Sequence, residues 1–232
     1  SLALALVMIY HSTRHLNFAQ GQLAMFATYL AWAMMQAGLP YWVAFFCTVV
    51  IAFLLGVLIE WLIVRRVQHA PVLSAVAVLV ALMVIFNSLA GWIFSYSIQT
   101  FPSPFPEKTI FANSLLSAHD LGSIAVTVVI LLLLYAFFNF TPLGLALRAV
   151  ALNPTSSRLV GIRVGRMLAL GWGLASAIGA VAGMMVAPVV YLDPDMMSGV
   201  LLYAFAGALI GGIDSPGGAV VGGLFVGVLE NL

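Results

Sequence analysis

Long apolar runs of about twenty residues, separated by short polar, glycine or proline punctuation, set the pattern of this chain. A helix rises 1.5 Å per residue, so about 20 such residues cross a hydrocarbon core of about 30 Å. The runs predict membrane helices at 1–12, 17–36, 41–64, 71–93, 121–140, 167–190, 198–211 and 218–231. Gly38-Leu39-Pro40 supplies the turn between the second and third of these. The last two are short and are expected to be tilted, re-entrant or incomplete. Alternating ten-residue segments, the mark of a membrane barrel, are absent from the pattern. The expected fold is therefore all-α, a polytopic membrane helical bundle of about seven to eight apolar segments in a single domain over 1–232.

Composition removes the soluble alternative. The chain is 64% hydrophobic and 6% charged, with a mean hydropathy of +1.17; a soluble domain carries about 25% charged residues. A net charge of +1 gives no reason to expect nucleic acid. Cys47 is the single cysteine, so an intrachain disulfide is impossible and no thiolate metal cluster is suggested. The chain enters directly in apolar sequence with no basic n-region and stops within GGLFVGVLENL. We expect further segments of the protein beyond both ends.

Charge then orients the bundle. If the spans alternate, one side receives Arg14, Arg65, Arg66, Arg148, Arg158, Arg163 and Arg166, and the other only Lys108. Basic residues concentrate in cytoplasmic loops, which places the first side inside the cell. The long outer loop, SYSIQTFPSPFPEKTIFANSLLSAHD, has three prolines and several aromatics. It is read either as a lid or partner contact, or as an interfacial loop without a specific role.

The stretch 141–166, TPLGLALRAVALNPTSSRLVGIRVGR, is unlike the other inner loops, because a simple helix connection needs only about 2–8 residues. Pro142 and Gly144 punctuate its start, and Asn153-Pro154 breaks its middle. Thr155, Ser156 and Ser157 are candidates to cap a second short helix. The expectation is helix, Asn-Pro break, helix, with Arg148, Asn153, Pro154, Arg158, Gly161, Arg163 and Arg166 forming a docking surface. The plainer reading makes each arginine a positive-inside anchor.

Small residues predict the packing. Ala175, Gly179, Gly183 and Ala187 recur every four residues, as do Ala219, Gly223 and Gly227, with Gly218 and Gly222 beside them. Such stripes let helix backbones approach closely in lipid, whatever the protein's activity.

Candidate chemistry is sparse. The lone lysine, Lys108, lies in no G-x-x-x-x-G-K-[ST] motif, so the chain does not bind ATP as a P-loop protein. His11, His15, His69 and His119 fall at span ends and read as interfacial side chains; no H-E-x-x-H, G-x-S-x-G or paired intramembrane carboxylates occur, and no cofactor or metal is expected. Apart from Glu60 the span interiors hold no ionisable residue, which disfavours ion-coupled transport. Two polar breaks remain, RHLNFAQGQLAMF and GGIDSPGGAVVGG, the first with Asn17, Gln20 and Gln22, the second with Asp214 and Ser215. Each is either a pathway element or a turn at the inner face. Asn87-Ser88 in the fourth span is a further pathway candidate or a helix-to-helix hydrogen bond.

Together, LVMIYHSTRHLNFAQGQLAMFATYLAW, GLALRAVALNPTSSRLVGIRVGRMLALGWGLASAIGAVAGMMVAP, LDPDMM and YAFAGALIGGIDSPGGAVVGGLFVGVLENL closely resemble the permease subunit of branched-chain amino acid ABC importers, the family with the Asn-Phe-Ala-x-Gly motif. The likeness covers essentially the whole chain in order. Arg14-His15 and Gln22 depart from the family's usual pattern. The resemblance implies a bacterial inner-membrane permease that pairs with a second permease subunit, two cytoplasmic ATPase subunits and a periplasmic solute-binding protein. It implies that 141–166 is the coupling segment, that ATP is bound by the partner subunits, and that the cargo is a branched-chain amino acid or a related small amide or carboxylate. The rival expectations are a stand-alone channel or secondary carrier for a small polar solute, and an intramembrane enzyme.

Overall fold

The computed structural model describes residues 19–67, 70–105, 117–212 and 216–230, together with Ala3 and Val7. In chain order the helices are α1 (Gln20–Gln36), α2 (Tyr41–Ile59), α3 (Val72–Phe94), α4 (Ala118–Phe140), α5 (Pro142–Leu152), α6 (Pro154–Leu159), α7 (Val164–Val190), α8 (Met196–Gly211) and α9 (Pro216–Glu230). A π turn at Glu60–Val64 carries α2 on to Val67. Among the described residues no strand forms; one isolated antiparallel bridge joins Gln99 to Leu192. Tyr41–Val67, Leu73–Phe94, Ala118–Phe140 and Val164–Val190 are each long and apolar enough to cross a membrane. The protein is an all-α, multi-pass membrane bundle.

Helix boundaries follow local chemistry. α4 starts at Ala118, three residues before the span read from hydrophobicity, because Ser117 and Asp120 form a capping box: the Ser117 hydroxyl accepts from the Asp120 amide while the Asp120 carboxylate accepts from the Ser117 amide. α7 starts at Val164, so Arg166 lies in its first turn instead of in the preceding loop. The segment predicted at 1–12 is described only at Ala3 and Val7, both helical and buried. His11, Arg14, His15, Asn17, His69, Lys108, Asp214 and Ser215 lie outside the described residues.

α7 is the axis of the bundle. Within the spans, 67% of its most apolar stretch is buried, against 6% for α4, whose sides are left to lipid or a partner. Because lipid removes the hydrophobic drive between helices, close backbone approach must hold them together. A Cβ added at Gly183 would come 2.8 Å from the carbonyl oxygen of Ala24 in α1, and one at Gly179 would come 2.5 Å from Nε2 of Gln20. Ala175 and Ala187 of the same stripe are fully buried. On the α2 side, a Cβ at Gly56 would lie 2.6 Å from the carbonyl oxygen of Trp172. α7 is thus gripped by α1 and α2 through small residues. Aromatic rings join α3 to α1: Phe26 meets Phe86 edge to face at 5.3 Å, and Tyr29 stacks on Phe94 at 4.9 Å.

α8 and α9 form a second close pair. Gly207 and Gly211 of α8 lie against the backbone of Gly218, Gly222 and Gly223. The missing side chain of Gly223 points instead towards Ala3, and a Cβ at Gly227 would meet nothing among the described residues. Successive helical residues turn by about 100°, so Gly218 and Gly222 face α8 most directly, with the Gly223 backbone at the edge of the contact.

Candidate functional site

The segment 141–166 folds into two short helices held by their own ends. Thr141 accepts from the Gly144 amide at 3.0 Å, and Pro142 fills the first helical position, where no amide is needed. A Cβ at Gly144 would collide with the backbone of Phe137 and Phe138, so the sharp corner between α4 and α5 requires glycine there. Asn153 closes α5 and opens α6: its side-chain oxygen accepts from the Ser156 amide at 3.0 Å. This corrects the expectation that Thr155, Ser156 and Ser157 provide the cap; asparagine sits one residue before Pro154, where its oxygen reaches back over the first turn, while Ser157 donates to the Asn153 carbonyl. α6 ends in a paired hydrogen-bond motif, with the Gly161 amide donating to Arg158 and the Ile162 amide to Ser157. Gly161, at φ +83°, holds the left-handed residue that this ending needs.

One face of this hairpin is buried and the other is open. Leu147, Val150, Val164, Met167 and Leu168 form a small core with Phe137 and Phe138. Arg148, Arg158, Arg163 and Arg166 are all exposed, as are Asn153 and Pro154. Arg148 donates to the Phe138 carbonyl and to the Asn139 side chain, and its guanidinium lies 6.0 Å from the Phe138 ring centre. Between the arginines stand Leu152, Leu159 and Val160, at 79%, 85% and 76% exposure. Sequence reading missed these three, since in a chain this apolar a leucine carries no signal of being on display. The open face therefore joins cations to apolar side chains, the mixture typical of an interface core with arginine around it.

The same end is linked to the bundle. Glu60, fully buried in the π turn of α2, pairs with Arg65 at 3.0 Å, and the Arg65 guanidinium also donates to the Gly165 carbonyl at 2.8 Å. That second bond ties α2 to the first turn of α7, two residues after Arg163. Every described arginine lies at this end of the molecule.

Of the pathway candidates, Gln20 is fully buried on the α7-facing side of α1 and donates to the Ala175 carbonyl at 2.8 Å. Gln22 is also buried, but its side-chain oxygen has no hydrogen-bond partner among the described residues. Asn87 reaches the segment between α7 and α8, donating to the Pro194 carbonyl at 2.9 Å and to the Asp195 carboxylate at 2.8 Å. Ser88 is exposed on the opposite side of α3 from the interior. Paired bonds between Gln99 and Leu192, 2.9 Å each, tie the segment after α3 to the segment after α7. Ser95 and Tyr191, which end α3 and α7, both hold φ near +70° with ψ near +160°, a conformation almost confined to glycine. His119 accepts from the Ser103 hydroxyl and donates to the Met185 carbonyl, so it is a satisfied interfacial histidine. No group of three or more metal-binding side chains occurs among the described residues.

A family model described as the permease component of branched-chain amino acid transport systems matches residues 2–232. The chain belongs to this permease family. The permease is 28% identical to a branched-chain amino acid transport permease protein, LivH, of Methanocaldococcus jannaschii, over all of this chain and 75% of that protein. It is 27% identical to the high-affinity branched-chain amino acid transport system permease LivH of Escherichia coli, over all of this chain and 80% of that protein. The Pseudomonas aeruginosa counterpart, BraD, is likewise 27% identical, over 99% of this chain and 80% of its own length. No solved structure matches the permease. Family membership accounts for a multi-pass membrane bundle and favours a transporter component over an intramembrane enzyme.

Proposed function

We propose that the permease is the membrane subunit of an ATP-driven importer in the bacterial inner membrane, moving branched-chain amino acids or related small amides and carboxylates. ATP binds to two cytoplasmic ATPase subunits, while a second permease subunit completes the membrane pore and a periplasmic binding protein delivers the solute. The permease itself needs no cofactor.

The observation that carries this reading is the hairpin. A subunit without nucleotide chemistry must receive the work of ATP binding through a rigid contact. A capped helix pair displaying Arg148, Arg158, Arg163, Arg166, Leu152, Leu159 and Val160 suits that contact. Arg65 then offers a route inward, because it links α2 to the α7 residue just beyond the hairpin. Motion of the hairpin would tilt α7, and α1 and α2 would follow because Gly179, Gly183 and Gly56 leave no slack between the backbones. Alternating access is a shift between two such packings. In this reading the solute passes along α1, beside Gln22.

Reconstitution with the partner subunits in liposomes tests it. Replacing Arg148, Gly161 and Arg163 is expected to remove the ATPase stimulation produced by loaded binding protein. Unchanged stimulation would overturn the coupling role. Solute exchange by the purified permease alone would favour a secondary carrier.

A further inference from the structure

The π turn at Glu60–Val64 and the ion pair beside it depend on each other. The Arg65 amide donates to the Glu60 carbonyl, five residues back. In α geometry, at about 100° per residue, position 65 would stand about 140° around the helix from Glu60, and Val64 would take its place at about 40°. The extra residue of the π turn brings Arg65 round, so that Nη2 donates to Glu60 Oε2 at 3.0 Å and Nε to Oε1 at 3.4 Å. Glu60 is fully buried. Arg65 is the least exposed of the described arginines and the one that pairs with a carboxylate among the described residues.

The same guanidinium crosses to α7. Nη2 also donates to the Gly165 carbonyl at 2.8 Å, and it lies so close over this glycine that an added Cβ would come 3.2 Å from it. Gly165 follows Val164, which is buried in the hairpin core, whereas Ile59 and Val64 are buried in the bundle core with Trp172. The clasp therefore joins the two cores. Opposed preferences meet in it. A π turn is a rare interruption of an α-helix, found mostly at functional sites, so the backbone by itself favours the α register. The side chains favour the π register, because a buried carboxylate parted from its cation is costly. Such a balance makes an element two-state instead of rigid.

We infer that Glu60–Val64 is a register switch of the transport cycle. In the π register of this structure, Arg65 locks the end of α2 to the first turn of α7. In the α register the helix beyond Glu60 turns by about 100°, Arg65 leaves Glu60 and Gly165, and the start of α7 is released to follow the hairpin. α2 stays gripped on α7 at Gly56, so the release is confined to its end. The inference rests on the reading of the permease as an ATP-driven importer and adds to it the step at which the hairpin is unlocked.

Deleting Leu62 separates a switch from a fixed tie. The deletion removes the extra residue, so Arg65 becomes the fourth residue after Glu60, about 40° from it in plain α geometry. The clasp is then kept with no second register to enter. In the full-chain permease in detergent, hydrogen exchange at 60–67 and 164–168 should slow in the deletion variant. It should quicken by about tenfold in Arg65→Gln, the worth of one hydrogen bond to a charged group, and in the same direction in Glu60→Gln, which relieves the buried charge. In the complex assembled with ATPase subunits and binding protein, the deletion variant should keep its melting temperature yet lose solute-stimulated ATP hydrolysis and uptake. Unchanged exchange in both substitutions would overturn the switch, and these variants remove no residue, so they decide the matter even if the deletion does not fold. The isolated permease separates the two readings. The expected exchange changes, in a permease whose wild-type complex shows no ATP-driven uptake, would leave the switch standing and remove the importer. ATP-driven uptake that survives the deletion would do the reverse.

Discussion

The two ends of the permease are built on different principles. At the arginine-bearing end, six described arginines surround short helices whose caps come from residues within four positions in sequence: Thr141 with Gly144, Asn153 with Ser156, Gly161 with Arg158. At the opposite end the described charges are acidic; α4 starts there with the local Ser117-Asp120 cap, but the bonds that join segments span long distances along the chain, Asn87 to Pro194 and Asp195, Gln99 to Leu192, His119 to Met185. Its helix ends at Ser95 and Tyr191 are strained instead of capped. A locally capped hairpin keeps its shape while being pushed, which suits a docking element. A region held by a few long-range hydrogen bonds and strained ends can be opened at modest cost.

This contrast can be broken in four ways, from large effects to small. Leu159→Asp with Val160→Asp should weaken association with the ATPase subunits by about thirtyfold, the loss of an interface hot spot of about 2 kcal/mol, read by co-purification. Because both side chains are exposed, the melting temperature should stay put; an equal loss of thermal stability would mean that they support the fold. In the bundle between the ends, Gly183→Ala should destabilise by about 2 kcal/mol, since the added methyl meets the Ala24 backbone. Gly227→Ala, with no described neighbour to strike, should be close to neutral, and denaturant titration separates the two. Asn153→Ala should cost about 1 kcal/mol, visible as faster hydrogen exchange confined to 153–162. Asn87→Leu should cost about 0.5–1 kcal/mol, with exchange rising at 191–196 far away in sequence. Exchange changes at both ends for either variant would erase the distinction.

How much of this was legible beforehand depended on the range of the interaction. The spans, the 141–166 hairpin and the small-residue stripe of α7 are written in contiguous sequence, because hydrophobic length, proline-glycine punctuation and four-residue spacing act over one or two helical turns. The Asn153 cap was misassigned to its neighbours since several residues there have suitable oxygens and only geometry selects one. The exposed Leu152, Leu159 and Val160 gave no signal, because an apolar residue in a lipid-dwelling chain looks the same whether it faces lipid, core or partner. Asn87 stood out as polar, yet its partners lie more than a hundred residues away.

By itself the sequence determined that this is a helical membrane protein, which end carries the arginines, and where the chain must break and turn, since each follows from the cost of placing polar or charged groups in hydrocarbon. Only the tertiary structure decided which glycine faces meet, which side of α1 carries unpartnered polar groups, and that Arg65 spans from Glu60 to Gly165. Those facts depend on how distant helices rotate against one another, and no local stretch of sequence sets that rotation.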